Sequence, residues 1–161
     1  MQDSSFPAAS PSTWPDLAGR LLPDSAGHVL PVRIYFEDTD FSGVVYHANY
    51  LRFMERGRSD YIRLIGVGHA ELASGEHGEA LAFAVRRIRI DYFRPARIDD
   101  LIEVETRPGD VRGASIVLHQ TVRRGGEKLV EAEVTVVMIN LEGRARRIPD
   151  TLRRALGVPA E

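Results

Sequence analysis

The sequence predicts an α+β domain in which an antiparallel sheet packs on one long helix, and three observations carry that expectation. A single stretch with helical spacing follows an alternating run. Four more strand-like runs come after it, with no second long helical pattern among them. The joins between these runs are short turns, which suit antiparallel neighbours and leave no room for crossover helices. With 161 residues, 43% of them apolar, the chain can bury one core without disulfide or metal staples. The expected organisation is a flexible leader over 1–28 and one domain over 29–161.

Each element has its own signal. The leader is rich in proline and serine and shows no sustained periodicity. Over 32–37, Val32, Ile34 and Phe36 alternate with Arg33, Tyr35 and Glu37, the pattern of a half-buried strand. A polar turn follows, Glu37-Asp38-Thr39-Asp40-Phe41-Ser42-Gly43. Tyr50, Leu51, Met54, Tyr61, Ile62 and Ile65 then recur at three and four residues, which predicts a helix over 47–65 stopped by Gly66 and Gly68. Strands are expected over 81–92, 101–107, 114–124 and 128–141. Pro95 and the Pro108-Gly109-Asp110 cluster mark two joins, and Gly125-Gly126 supplies a tight hairpin turn. Pro149 opens a short closing helix that runs through Leu156.

Composition removes several chemistries. The absence of cysteine excludes thiol nucleophiles, disulfides, thiolate zinc sites and iron–sulfur clusters. A formal net charge of -2 lacks the basic excess that holds a protein to nucleic-acid phosphates. No apolar run reaches the roughly 18 residues of a membrane span, and no basic segment precedes an apolar one at the amino terminus, so a cytoplasmic protein is expected. The five histidines show no HExxH spacing, no G-x-S-x-G occurs, and Gly66-Val67-Gly68 lacks the third glycine of a dinucleotide loop. Asp38-x-Asp40-x-Ser42-Gly43 opens like a calcium loop, but Asn49 stands where its bidentate glutamate belongs. No metal is expected.

Two clusters of arginine remain. Arg86, Arg87, Arg89, Arg94 and Arg97, with Tyr92 and Phe93 interleaved, resemble a nucleic-acid surface. Alternation of Ile88, Ile90 and Tyr92 with Arg87, Arg89 and Asp91 fits a sheet with one wet face better. Either this cluster or the one around Arg146 and Arg147 could instead meet a phosphorylated small ligand, since guanidinium matches phosphate oxygens bidentately. At the junction before the helix, Asp38 and Asp40 precede unpaired N–H groups. Such a helix start keeps a carboxylate ionised and stabilises a developing oxyanion, although aspartates in this position most often only cap a turn.

The run Tyr35-Phe36-Glu37-Asp38-Thr39-Asp40-Phe41-Ser42-Gly43-Val44-Val45-Tyr46-His47-Ala48-Asn49-Tyr50-Leu51, continuing through Met54-Glu55 to Arg58, resembles the signature of the 4-hydroxybenzoyl-CoA thioesterase family of hot-dog-fold proteins. Its Val45-Tyr46-His47 form is most similar to the Tol-Pal-associated acyl-CoA thioesterases. The resemblance spans about residues 31–150, including Asp91-Tyr92-Phe93-Arg94-Pro95-Ala96 and Arg146-Arg147-Ile148-Pro149.

The resemblance implies a curved antiparallel sheet of about five strands wrapped on the long helix. It also implies a homodimer or homotetramer with active sites at the dimer interface. By motif match Asp40 is the catalytic carboxylate, which attacks the thioester carbonyl to form a mixed anhydride or activates a water as general base. The backbone N–H of His47 occupies the position that polarises the thioester oxygen, and its imidazole orients substrate or carboxylate. Tyr46 and Asn49 match the pattern on the substrate side, while Tyr50 and Glu55 match as packing and supporting residues. Phe36 stands where some relatives carry tyrosine. Arg123, Arg124, Lys128, Arg146 and Arg147 are the candidates for coenzyme A phosphates. Coenzyme A enters as part of the substrate, and no other cofactor is expected. The leading function is acyl-CoA hydrolysis. The alternatives are hydrolysis of acyl groups on acyl carrier protein, or a binding or scaffold role at an envelope complex with vestigial activity.

Overall fold

The computed structural model describes residues 17–23, 26–75 and 78–159. The first sixteen residues of the expected leader, His77 and the last two residues lie outside that set. In chain order the elements are β1 (Arg20–Leu21), β2 (His28–Arg33), α1 (Asn49–Leu64), α2 (His69–Ser74), β3 (Leu81–Tyr92), β4 (Leu101–Arg112), β5 (Ser115–Arg124), β6 (Glu127–Asn140) and α3 (Asp150–Ala155). The strands form one sheet in the order β1-β2-β4-β5-β6-β3, with every neighbouring pair antiparallel.

Period-two alternation fixes which face of the sheet is dry. Ile102, Val104 and Thr106 on β4, Ile116, Leu118, Gln120 and Val122 on β5, and Val130, Ala132, Val134, Val136 and Met138 on β6 are all buried. Helix α1 meets this face with Tyr50, Phe53, Met54, Gly57, Arg58, Tyr61 and Ile62, the three-and-four spacing of one stripe. Gly57 lets the helix approach closely. A Cβ there would lie 3.1 Å from Val104 Cγ1 and 3.2 Å from Thr106 Oγ1. A buried polar bolt sits beside it: Gln120 donates from Nε2 to the Met54 carbonyl and to Thr106 Oγ1, each at 2.9 Å, while Arg58 donates to Gln120 Oε1 at 2.9 Å.

Several expectations hold closely. Strand 81–92 is found as Leu81–Tyr92, and β5 passes to β6 through Gly125-Gly126, with Arg124 opposite Glu127 and Gly125 at φ 58°.

Others are corrected. The first long strand ends at Arg33, although Ile34 still donates to the Asp100 carbonyl. Residues Phe36–Asp38 form a 3-10 turn, and Phe36 is exposed where alternation had placed it inside. The reason is local: the Asp38 carboxylate accepts the Tyr35 N–H at 2.8 Å and turns the chain out of the ladder. The sheet also starts earlier than expected, because Arg20–Leu21 pairs with His28 and Val29 inside the presumed leader. That makes six strands among the described residues instead of about five. Helix α1 starts at Asn49, not at His47. A short helix, α2, occupies a segment for which the sequence suggested no element, entered from Gly68 and closed by Gly75 in the left-handed conformation at φ 68°. Finally, β4 runs through Pro108-Gly109-Asp110 instead of stopping before it, by means of an irregularity between Pro108 and Val111. Among the described residues, no helix is long and apolar enough to cross a membrane.

Candidate active site

Between β2 and α1 the chain makes a small hairpin. Thr39 pairs with Val45, Asp40 N–H donates to the Val44 carbonyl at 3.0 Å, and Gly43 N–H returns to the Asp40 carbonyl at 3.0 Å. Gly43 sits at φ 79°, a conformation that favours glycine. The hairpin is strapped to the segment after β3, where Val45 N–H donates to the Ala96 carbonyl at 2.9 Å.

This geometry separates two aspartates that look alike in sequence. Asp38 points inward and is buried. Besides the Tyr35 N–H it accepts Asn49 Nδ2 at 3.2 Å, so it ties the exit of β2 to the first residue of α1. Asp40 points outward. Its Oδ1 accepts the Ser42 hydroxyl at 2.5 Å and the Ser42 N–H at 2.8 Å. The Ser42 hydroxyl, then the Ser42 backbone, holds the Asp40 carboxyl below the usual carboxylate range, with a smaller contribution from the nearby His47. Asp40 is therefore an exposed, ionised carboxylate with its second oxygen open.

His47 lies in the turn that feeds α1. Tyr46 N–H is taken by the Asp38 carbonyl and Asn49 N–H by the Tyr46 carbonyl. The N–H groups of His47 and Ala48 find no acceptor among the described residues, so they stand as open donors at the helix entrance. The His47 ring contacts Tyr46 edge-on at 4.7 Å and Tyr92 at 6.2 Å between centroids. The Tyr92 hydroxyl donates to the His47 carbonyl at 3.0 Å. Beside them opens a cleft of about 260 Å³, lined in part by His47, Tyr50, Tyr92, Phe93 and Arg94. Tyr50 is buried and its hydroxyl accepts the Ala96 N–H at 3.0 Å, the packing role expected of it. Burial pushes the Tyr50 phenol up, and the Tyr92 phenol likewise.

The remaining sequence candidates fall into three groups. Tyr46 is half exposed beside His47, and Asn49 is buried with its amide on Asp38. Arg123, Arg124 and Lys128 lie where β5 turns into β6, near the Phe93 side of the cleft. Arg124 is held by Asp100 and Glu127 at 2.6 Å each, while Lys128 sits 5.7 Å over the Phe93 ring and 3.1 Å from Glu131. Arg123 faces Lys128 in the ladder. Arg146 and Arg147 are elsewhere: Arg146 N–H bonds the Met138 carbonyl and its guanidinium grips Glu79 at 2.6 Å. Met138 pairs with Phe83 near one end of β3, whereas Tyr92 closes the other, so these arginines sit roughly 30 Å along the strand from the cleft in the same chain.

Sequence reasoning missed the parts played by Ser42 and Tyr92. The Asp-x-Ser spacing carries a signal for the first, since an Asp side chain commonly accepts the N–H two residues on. Nothing local marks Tyr92, which reaches His47 only because β3 ends beside the helix entrance. Among the described residues no group of three or more His, Cys, Asp and Glu side chains is placed to hold a metal ion. The assembled features, an ionised carboxylate near two open amides and an aromatic cleft, suit addition of water or carboxylate to a polarised carbonyl.

Comparison with known proteins agrees with this chemistry. The family model of the Thioesterase superfamily matches residues 42–131. The acyl-CoA thioesterase YbgC of Haemophilus influenzae is 43% identical over 111 residues, which are 69% of this chain and 79% of that protein. The acyl-CoA thioester hydrolase YbgC of Escherichia coli is 40% identical over 124 residues, 76% of this chain and 90% of that protein. The crystal structure of a probable thioesterase from Bartonella henselae superposes with a TM-score of 0.75 at 48% identity, covering 77% of this chain and all of that one. The expected architecture is thus found, an open six-stranded hot-dog sheet in an α+β domain. With the family match extending over more than half of its residues, the chain belongs to the thioesterase superfamily and is a thioester hydrolase.

Proposed function

We propose that the protein is a cytoplasmic acyl-CoA thioesterase in which Asp40 supplies the reacting carboxylate. The observation that carries this reading is the placement of an exposed carboxylate, held ionised by Ser42, beside the open His47 and Ala48 amides and the aromatic cleft. The YbgC relatives, named for acyl-CoA hydrolysis, support the choice of coenzyme A as the leaving group.

The thioester carbonyl lies in the cleft with its oxygen toward the His47 N–H, which stabilises negative charge as the carbonyl carbon becomes tetrahedral. Asp40 then acts in one of two ways. As general base it takes a proton from water while the oxygen attacks. As nucleophile it forms a mixed anhydride that water later opens. In both routes the C–S bond breaks, the thiolate of coenzyme A leaves and is protonated, and water supplies the second oxygen of the acid. Neither route calls for a metal or a further cofactor. Arg123 and Lys128 supply positive charge near the cleft for the phosphates of coenzyme A, with Arg124 more tightly engaged. Arg146 and Arg147 can serve a site only across a subunit boundary. The outer edge of β3, which among the described residues pairs only with β6 on its other side, is the edge on which a second copy would extend the sheet into a dimer or tetramer.

The test is thiol release from short, long and aromatic acyl-CoAs by the wild type and by Asp40→Asn, with circular dichroism on both. Loss of turnover in a folded Asp40→Asn protein is the expected result, and full activity in it overturns the assignment. Salt-sensitive turnover of acyl carrier protein thioesters alone moves the substrate to that carrier. Silence on both carriers favours a binding or scaffold role.

A further inference from the structure

Strand β3 carries Arg86, Arg87 and Arg89, and the acyl-CoA reading uses none of them. Register places Arg87 opposite Thr135 and Arg89 opposite Glu133, on the face of the sheet turned away from α1, while Val85 and Ile88 stand opposite the buried Val136 and Val134. Strict alternation would send Arg86 and Arg87 to opposite faces. The register shift between Val85 and Arg87 instead leaves Arg86 with no residue opposite it on β6, and Arg86 and Arg87 line one hollow together with Thr135. A bulge of this kind re-aims a side chain, and here it doubles the positive charge at one point.

The hollow measures about 520 Å³, inside the range of roughly 300–1,000 Å³ typical of small-molecule clefts. It shares no lining residue with the cleft beside His47, and Tyr92 of that cleft lies roughly 17 Å along β3 from Arg87. Among the described residues no acidic side chain lines it. The acids of this face, Asp91, Glu131 and Glu133, border a separate hollow with Arg89 and His119. Arg86 and Arg87 are exposed and make no ion pair among the described residues. Elsewhere on the surface Arg94, Arg112 and Arg144 each hold a carboxylate, at 3.2, 3.0 and 3.3 Å. A carboxylate ligand would balance only one of the two neighbouring guanidinium charges. A phosphate dianion matches both, offers its oxygens to two planar forks, and leaves a contact for the Thr135 hydroxyl.

We propose that Arg86, Arg87 and Thr135 form a binding site for a phosphate group on a ligand other than the thioester in the cleft. The chemistry it recognises is a phosphomonoester or diphosphate, carried by a soluble molecule or by an anionic lipid headgroup. Antiparallel pairing of a second copy along the edge of β3 leaves this face of the sheet open.

The test is calorimetric titration of the full chain with inorganic pyrophosphate at fixed ionic strength, on the wild type and on Arg86→Gln/Arg87→Gln, with circular dichroism on both. The wild type should bind saturably, and the double variant about tenfold more weakly or worse. Arg63→Gln, which removes an exposed arginine of α1 paired with Asp60, should bind like the wild type. Should the double variant fail to fold, Thr135→Val must weaken binding several-fold. No saturable binding by the wild type overturns the inference. So does binding that the double variant retains, since the anion then sits elsewhere, for example at Arg123 and Lys128. Vesicles of phosphatidic acid in phosphatidylcholine separate the sources: sedimentation that the double variant loses assigns the phosphate to a lipid, and pyrophosphate binding without sedimentation assigns it to a soluble ligand. The double variant should keep the wild-type KM for acyl-CoA. A KM that rises as pyrophosphate binding falls makes these arginines part of coenzyme A recognition and overturns the separate ligand. Binding is read without turnover, so the result does not depend on the role of Asp40.

Discussion

Removing one hydroxyl, by Tyr92→Phe, tests how precisely the helix entrance must be held. The phenol donates to the His47 carbonyl at 3.0 Å, and that carbonyl belongs to the same peptide unit as the open Ala48 N–H. Phenylalanine keeps the edge contacts of the ring with Tyr50, at 5.8 Å, and with His47, at 6.2 Å, so the hydrogen bond alone is lost. Such a bond contributes about 0.5–1.5 kcal/mol, and here the lower half of that range applies because Tyr92 is 44% exposed and water can replace the donor. If that free energy appears wholly in the placement of the amides against the tetrahedral state, kcat falls about two- to fivefold. KM should change little, since the hydroxyl is spent on the His47 carbonyl. The assay is steady-state thiol release on a good acyl-CoA, with urea unfolding alongside to bound the stability change below about 1 kcal/mol. An unchanged kcat, or a rise in KM with kcat intact, would refute the argument that Tyr92 positions the oxyanion donors.

Other perturbations follow from the same geometry. Ser42→Ala removes the largest contribution holding the Asp40 carboxyl low, so its pKa rises; activity that needs the ionised form should be lost at higher pH than in the wild type, read as the acid limb of kcat/KM against pH. Gly57→Ala gains about 1 kcal/mol of helix propensity but presses a methyl on Val104 and Thr106, both fully buried and one held by Gln120. Overpacking of about 1–3 kcal/mol should therefore leave a net loss in urea unfolding, and a stabilised variant would show that the helix can shift. Gln120→Leu strips acceptors and donors from Arg58, Met54 and Thr106 together and should cost about 2–4 kcal/mol, seen as a fall in Tm.

What the sequence made readable follows from the length and strength of each pattern. The sixteen residues of α1 repeat their apolar spacing for more than four turns, so the helix was visible and only its first turn misplaced. The error at His47 comes from a single backbone bond, Tyr46 N–H to the Asp38 carbonyl, that delays the first helical turn. The six residues of α2 are too few to show a period, and the two of β1 fewer still. Phe36 followed the alternation faithfully on paper, but a side-chain bond from Asp38 overrode it. The same bond explains why Asp38 and Asp40 could not be told apart: their difference lies in Asn49, eleven residues beyond Asp38, and in Ser42, two beyond Asp40. The pairing of Arg146 with Glu79 is longer in range again, and its distance from Asp40 in one chain emerges only from the ladder between β3 and β6.

The inward-facing Asp38 carries a mechanical consequence. One of its oxygens is fastened to the Tyr35 backbone and the other to Asn49, so a turn of α1 about its axis would pull the end of β2 with it. The hairpin that bears Asp40 is caught between those two anchors and strapped at Val45 to Ala96. These bonds couple the hairpin to both the helix and the segment after β3. The opposite bank is less tightly tied: Phe93 is half exposed under Lys128, and Arg94 is held by an exposed ion pair with Glu127 at 3.2 Å. If Asp40 is the reacting carboxylate, as proposed, the tethered wall that bears it would hold its position while the more exposed Phe93 and Arg94 side adapts to acyl groups of different bulk.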